Sequence, residues 1–413
     1  MSKLYDLFCA HPLISTDTRR IAQGSIFFAL RGASFDGNRF AADALEKGAV
    51  AAVVDDPTVA VDDRYIVVEE VLTALQELAH EHRTALQIPI LAIAGSNGKT
   101  TTKELVSRVL AQKYRIYATQ GNLNNHIGVP LTLLAMNSEV EFGIVEMGAS
   151  ACGEIARLCE IAAPDYGILT NVGRAHLEGF GGVEGVRRGK GELYDYLAAH
   201  GGTAFLRHTD EVLKTMADAR PAMQQCGYAE ALAEGIEHHL EGDFNRYNVA
   251  AAAAIGNYFD INSLQIAEAI ASYHPDNNRS QRTETACNTL VVDCYNANPS
   301  SMQASIGHFL TEPLGHRSRR VLILGDMREL GAWAAEEHRI VIGQATASDA
   351  EVWLVGEAFR EAFESLENAP KNARLFASCA ALCNELQQTP LRDALILIKG
   401  SHSIGLERTI PHL

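Results

Sequence analysis

The sequence predicts an α/β protein of three domains, the second and third built on mostly parallel sheets. Three observations carry this. Short apolar runs of strand length alternate with helix-length segments along nearly the whole chain. That alternation implies parallel strands covered by helices on both faces. The chain has 413 residues, more than one hydrophobic core accommodates. The alternation is also broken twice, near Pro89 and at the polar stretch Pro275-Asp276-Asn277-Asn278.

Residues 1–86 form the small N-terminal α/β domain. Residues 25–30 and 49–54 read as strands, and 40–47 as a helix ended by Gly48. A helix over 71–86 leads to Pro89. Residues 87–276 form the central parallel-sheet domain. Its buried first strand, 90–94, is followed by a helix over 99–112 and by strands at 142–147, 166–171 and 203–206. The alanine run 250–254 reads as a tightly packed helix. In residues 277–413, strands at 290–294, 320–324, 351–355 and 394–398 predict a second doubly wound, Rossmann-like domain.

The net charge of −16 and the absence of a long Lys/Arg run argue against a nucleic-acid partner. No stretch reaches the roughly 20 apolar residues of a membrane span, so no membrane insertion is expected. No signal segment is visible, and the expected location is the cytoplasm. The eight cysteines include no CxxC pair. They read as reduced thiols that mostly fill the core, with Cys379 and Cys383 on one buried helix face.

The chemistry starts at Gly95-Ser96-Asn97-Gly98-Lys99-Thr100, a glycine turn between a strand and a helix. Backbone N–H groups and the helix dipole make such a turn an anion site. Lys99 supplies a cation to the β- and γ-phosphates of ATP, and Thr100 a hydroxyl to Mg2+. In the longer G-x-x-x-x-G-K-[ST] form a glycine would stand at Ile93, so this is the shorter G-x-x-G-K-T loop. Glu146 follows the strand 142–145, and the carboxyl end of a strand suits a carboxylate that binds Mg2+. His176 follows another strand and reads either as a ligand or as a structural histidine. Lys190, in Arg187-Arg188-Gly189-Lys190-Gly191-Glu192, reads on composition as part of a solvated basic cluster.

Together these segments resemble the Mur ligase family nearly end to end. The N-terminal match is Asp17-Thr18-Arg19, Gly24 to Gly32 and Asp36-Gly37-Asn38-Arg39-Phe40. It implies that Asp17, Thr18, Arg19 and Asp36 contact a UDP-sugar. In the centre, Gly95 to Lys103 is similar to the family's short ATP loop and brings Thr101 into the ATP site. The resemblance implies substrate contacts at Asn122, Asn124 and Asn125, Mg2+ segments at Glu146 and His176, and a carbamate on Lys190. Asn245 and Asn248 match a pair that meets adenine, preceded by Phe244 where relatives often have His. In the last block, Asp293-Cys294-Tyr295-Asn296-Ala297-Asn298-Pro299 and Leu324 to Gly331 resemble the branch that adds a D-alanyl-D-alanine dipeptide. This implies an ATP contact at Asp293 and substrate contacts at Tyr295, Asn296, Asp326 and Lys399. His402 stands where Arg is common. The D-N-P-R motif of the diamino-acid branch has only a near miss, Asp276-Asn277-Asn278-Arg279.

The implied activity is an ATP-dependent ligation of D-alanyl-D-alanine to UDP-N-acetylmuramoyl-tripeptide through an acyl phosphate. Lys99, Glu146, His176 and Lys190 would be catalytic, and Thr100, Glu146, His176 and Lys190 would hold Mg2+. The partners are these small molecules, and the chain is expected to act as a monomer. Two alternatives share the loop: another short-loop amide ligase, and a catalytically silent nucleotide-binding regulator. A silent scaffold has no need of Lys99, Thr100, Glu146, His176 and Lys190 together.

Overall fold

The computed structural model describes residues 2–275 and 281–413. The boundary expected at 276/277 and the segment 276–279 lie outside the described residues.

The first sheet uses β1 (Ile14–Ser15), β2 (Ile26–Phe28), a separate hairpin of β3 (Arg31–Gly32) and β4 (Phe35–Asp36), then β5 (Ala51–Val54) and β6 (Tyr65–Val67). The order β1-β2-β5-β6 is parallel throughout. The helix expected over 40–47 is shorter, Ala41–Glu46, because a 3-10 turn, Gly37–Phe40, precedes it. Asp36 starts that turn by accepting from Asn38 N at 3.0 Å. Gly48 follows at φ +111°, where only glycine is unstrained. The helix Val71–Leu86, as expected, joins this sheet to the next. Its buried Arg83 donates to the carbonyls of Ala162 and Ala163 and pairs with Asp165 at 2.8 Å.

The central sheet contains β7 (Ile90–Ala94), β8 (Ile116–Ala118), β9 (Phe142–Glu146), β10 (Tyr166–Leu169), β11 (Thr203–Arg207) and β12 (Gln224–Tyr228). Its order is β12-β11-β10-β7-β9-β8, all parallel. β7 is buried at every residue, which explains its unbroken apolar run. β8 and β12 escaped the sequence reading because they are edge strands, half exposed and without such a run. β8 and β9 lie on one side of β7 and β10 to β12 on the other. The loop after β7 therefore sits at the sheet's switch point, where α/β folds bind ligands. The register pairs Ile93 with Glu146 and Ala94 with Leu169, so three carboxyl ends finish level.

On one face, the helix Asn245–Tyr258 packs against Lys99–Leu110 through the buried Ala250 to Ala254. Gly256 continues that contact, since a Cβ there would lie 2.6 Å from Val109.

The third sheet holds β13 (Gln281–Glu284), β14 (Asn288–Asp293), β15 (Arg319–Gly325), β16 (Glu351–Val355), β17 (Ala373–Phe376) and β18 (Ala394–Lys399). The order is β13-β14-β18-β15-β16-β17, with β13 an antiparallel edge. The eight cysteines are all free thiols, but only Cys159, Cys294 and Cys379 are fully buried, while Cys9 and Cys152 are exposed. Their role as mostly core filler is thus corrected. No helix among the described residues is long and apolar enough to cross a membrane.

Candidate active site

The carboxyl ends of the central and third sheets face one cavity of about 1140 Å3. Its floor is the phosphate loop. Gly98 caps the helix Lys99–Leu110 at φ +78°, and a Cβ there would lie 2.6 Å from Asn248 Oδ1. The segment after β10 clamps the loop. Asn97 N donates to Asn171 Oδ1 at 3.0 Å, and Thr170 Oγ1 and Asn171 Nδ2 donate to Asn97 O at 2.6 and 3.0 Å. Ser96 N donates to Asn171 O at 3.0 Å. Lys99 folds back, its Nζ donating to the carbonyls of Gly95 at 2.9 Å and Ser96 at 3.2 Å. Ser96 to Thr101 all line the cavity. A strand, a clamped turn and a helix N-terminus with its own lysine form a preorganised phosphate cradle.

Beside it, Glu146 ends β9 and is buried. Its Oε1 accepts from Asn124 Nδ2 at 2.8 Å, while Oε2 is buried with no hydrogen-bond partner. An orphaned carboxylate oxygen in a wall shared with Thr100 fits a cation bound there. Asn122 and Asn125 line the same wall. Asn125 Oδ1, however, accepts from Ile127 N at 3.1 Å and Gly128 N at 2.9 Å, which starts the next helix.

Lys190 is not solvated, which corrects the reading from composition. It is 1% exposed on the helix Val183–His200, and its Nζ donates to Ala149 O at 3.0 Å. Burial, reinforced by the charge of Lys99, lowers its pKa to about 7. Near pH 7 such a lysine is a neutral amine about half of the time, the form that reacts with CO2. The Lys190 side chain lies behind the cavity wall, and Ala149 is the lining residue in front of it.

His176 lies in the wall at φ +53° and its Nδ1 pairs with Glu329, itself at φ +61°, from the third-sheet domain. That partner was not foreseen. The hydrogen bond from His176 lowers the pKa of the Glu329 carboxylate.

Asn245 and Asn248 are buried at the opposite end. Asn248 Nδ2 donates to Asn245 Oδ1 at 2.7 Å, and Thr102 Oγ1 donates to Asn248 Oδ1 at 3.1 Å. Phe244, Arg207 and Tyr247 line this end too, with the Arg207 guanidinium 4.1 Å from the Tyr247 ring centre. Arg207 and Tyr247 were missed in the sequence. The signal for Arg207 was the one that flagged Glu146, a charged residue closing a buried strand.

The third sheet contributes Asp293 and Lys399, register partners at the ends of β14 and β18, whose side chains pair at 2.5 Å. Tyr295 lines the cavity and stacks on His402 at 5.8 Å, and Asn296 is exposed at the rim. Asp326 stands apart from these residues. It does not line the cavity. It is 1% exposed, and its two oxygens accept from Ala358 N at 3.1 Å and Phe359 N at 2.9 Å. Its carboxylate anchors the helix Glu357–Glu364.

The N-terminal residues also stand outside this cavity. Asp17 caps a 3-10 turn and binds Arg19 through both oxygens, at 2.9 and 2.7 Å, with Thr18 between them. Asp36 is held by Asn38 Nδ2 at 2.9 Å. The described residues contain one cluster of metal-ligand type, Glu241, His308 and Glu312. Arg282 spans both carboxylates, so that cluster is an ion-pair network between the central and third-sheet domains.

Three family models match the chain: the Mur ligase family catalytic domain over residues 12–83, the Mur ligase middle domain over 93–230, and the Mur ligase glutamate ligase domain over 278–402. The UDP-N-acetylmuramoyl-tripeptide–D-alanyl-D-alanine ligase of Bacillus subtilis is 36% identical over 77% of this chain and 74% of its own length. The ligase of the same name from Treponema pallidum is 34% identical over 97% and 93%. Among solved structures, MurF from Acinetobacter baumannii superposes with a TM-score of 0.85 at 27% identity, covering 96% of this chain and 92% of that one. MurF ligase from Thermotoga maritima in complex with ADP gives 0.84 at 25%, covering 100% and 98%. The cavity between the central and third sheets, the short phosphate loop and these matches agree: the chain belongs to the Mur ligase family.

Proposed function

We infer that this chain is an ATP-dependent ligase that adds D-alanyl-D-alanine to UDP-N-acetylmuramoyl-tripeptide in peptidoglycan synthesis; its relatives' names give the two joined substrates. One observation carries the reading. A single cavity unites the phosphate loop of the central sheet with Asp293, Tyr295 and Lys399 of the third. A nucleotide held by one domain thus meets an amine brought by the other.

Gly95 to Thr101 cradle the triphosphate, and Asn245 and Asn248 face the adenine. The first domain, with Asp17, Thr18, Arg19 and Asp36, holds the UDP-sugar. Asn122 and Asn124 face the tripeptide, and Tyr295, Asn296 and Lys399 the dipeptide. The setting is the cytoplasm, where a monomer would serve cell-wall growth and through it cell shape and division.

A carboxylate is a poor electrophile. One of its oxygens attacks the γ-phosphorus, the bond to the β–γ bridging oxygen breaks, and ADP leaves. The amine then attacks the acyl carbon and inorganic phosphate departs. Bringing carboxylate and triphosphate to about 4 Å costs roughly 4 kcal/mol per unit-charge pair at an effective dielectric near 20. That is about a thousandfold in rate. Lys99 offsets it from a fixed position on the loop. Thr100 and Glu146 would hold Mg2+, and His176 with a carbamate on Lys190 a second ion, each adding positive charge against the anions. The unpartnered Oε2 of Glu146 supports the first assignment, and the buried amine of Lys190 the second. The docked third-sheet domain keeps water from the acyl phosphate.

The test is phosphate release from ATP with UDP-N-acetylmuramoyl-tripeptide, with and without D-alanyl-D-alanine. Release that needs both the acid and the amine is expected. Release with a different acid–amine pair, or ATP binding without turnover, overturns the reading.

A further inference from the structure

The residue that connects the third-sheet domain to the phosphate loop is Asn298, which has no place in the chemistry above. It caps the helix Pro299–Thr311 through a capping box: Asn298 Oδ1 accepts from Ser301 N at 3.0 Å, and Ser301 Oγ accepts from Asn298 N at 3.1 Å. The box fixes the side-chain oxygen and so aims the amide nitrogen. Asn298 Nδ2 donates to Asn97 Oδ1 at 2.7 Å. Asn97 is equally constrained, since its backbone N–H and C=O are both held by Thr170 and Asn171. Asn298 is 5% exposed, so the contact is shielded from water. One turn of helix makes a second contact alongside. Ser300 Oγ accepts from Arg174 N at 2.8 Å, and a Cβ at Gly173 would lie 2.7 Å from that hydroxyl.

The two contacts reach segments that already clamp each other, 95–98 and 170–174. The third-sheet domain therefore docks on the same backbone that shapes the phosphate cradle.

We propose that Asn298 is a positioning residue: its cap-locked amide seats the amine-bearing domain directly on Asn97, so that the phosphate loop in its cradle shape sets the reacting position of the dipeptide. This rests on the ligase reading. Asn298 touches no reacting atom; it acts through Asn97 and through the placement of the domain behind it.

The test uses the full chain and a double-mutant cycle. Serine caps helices nearly as well as asparagine but is too short to reach Asn97. Asn298→Ser should leave thermal stability and ATP affinity unchanged while kcat/KM for D-alanyl-D-alanine falls about tenfold, the scale of one lost hydrogen bond. Asn97→Ser should lower the same parameter at saturating ATP. The double variant should fall no further than the worse single one, because one contact is lost in all three. Losses that multiply in the double variant overturn the proposal, as does an unchanged kcat/KM for the dipeptide in Asn298→Ser. A wild-type chain that never couples ATP consumption to the dipeptide refutes both the ligase reading and this proposal. An active wild type with multiplying losses refutes only the docking role.

Discussion

Lys99, in the cavity floor, and Lys190, behind its wall, stand in two differently built regions. Lys99 stands on the first turn of a helix, inside a glycine loop, with loop carbonyls 2.9 and 3.2 Å from its amine. Those oxygens hold the amine in a fixed direction. Lys190 sits midway along the helix Val183–His200, buried among apolar groups, with one carbonyl at 3.0 Å and the Phe180 ring 5.1 Å away. That setting disfavours an ammonium and lowers its pKa to about 7. One region presents a cation; the other prepares a neutral amine. The same residue type takes opposite roles because solvation, not identity, sets its charge.

Removing the cation should break this contrast most severely. Lys99→Ala is expected to cost about a thousandfold or more in kcat, the scale of the uncompensated repulsion, read in single-turnover assays. A loss under tenfold would move the charge compensation elsewhere.

Lys190→Ala should cost about a hundredfold, within the range set by the loss of a metal-holding group. A short carboxylic acid in the assay should restore part of the rate, since it replaces the missing anion. Full activity without the acid would dismiss the carbamate. If the lysine works as an ammonium, Lys190→Arg should be active and the acid should do nothing.

The pKa of Lys190 also has a sign that can be checked. Its folded value, about 7, lies below the ordinary 10.5. Between these values the unfolded chain binds the proton and the folded chain does not, so stability falls as pH falls through this window. The penalty is complete below about 7 and absent above 10.5. Lys190→Met, measured by urea unfolding in CO2-free buffer, should gain on the wild type by a few kcal/mol from pH 10 down to 7. It should gain no more below that. A pH-independent difference would contradict the buried neutral amine.

The smallest effect belongs to a residue outside the cavity. Asp326→Ala should lower stability by about 1–3 kcal/mol through the loss of two backbone hydrogen bonds at a helix start. The KM for the dipeptide should stay within about twofold at a temperature where the variant is folded. A large rise in KM with unchanged stability would return Asp326 to the substrate.

These contrasts mark what was legible in the sequence. Lys99 was, because a phosphate loop is local: strand, glycines, lysine and helix lie within a dozen residues and the spacing is the geometry. Glu146 was, because a charged residue closing an apolar strand must surface at the sheet edge. The environment of Lys190 was not. Its neighbours Arg187, Arg188 and Glu192 are polar, and only packing buries one face of that helix. The helix-anchoring contacts of Asp326 were not legible because its partners, Ala358 and Phe359, come from the next strand–helix connection. Glu329 was missed as a member of the site for the same reason, since its partner His176 lies in another domain. Edge strands β8, β12, β13 and β17 were missed because half-exposed strands lose the apolar run that marked β7.

The central claim is that the cavity activates a carboxylate by phosphorylating it. The direct measurement is oxygen transfer. UDP-N-acetylmuramoyl-tripeptide labelled with 18O in the reacting carboxylate is turned over with ATP and D-alanyl-D-alanine, and the released phosphate is analysed by mass. The account predicts one labelled oxygen in each phosphate formed, because the carboxylate oxygen leaves with the phosphoryl group. Phosphate without label, formed while the peptide bond is made, would contradict it.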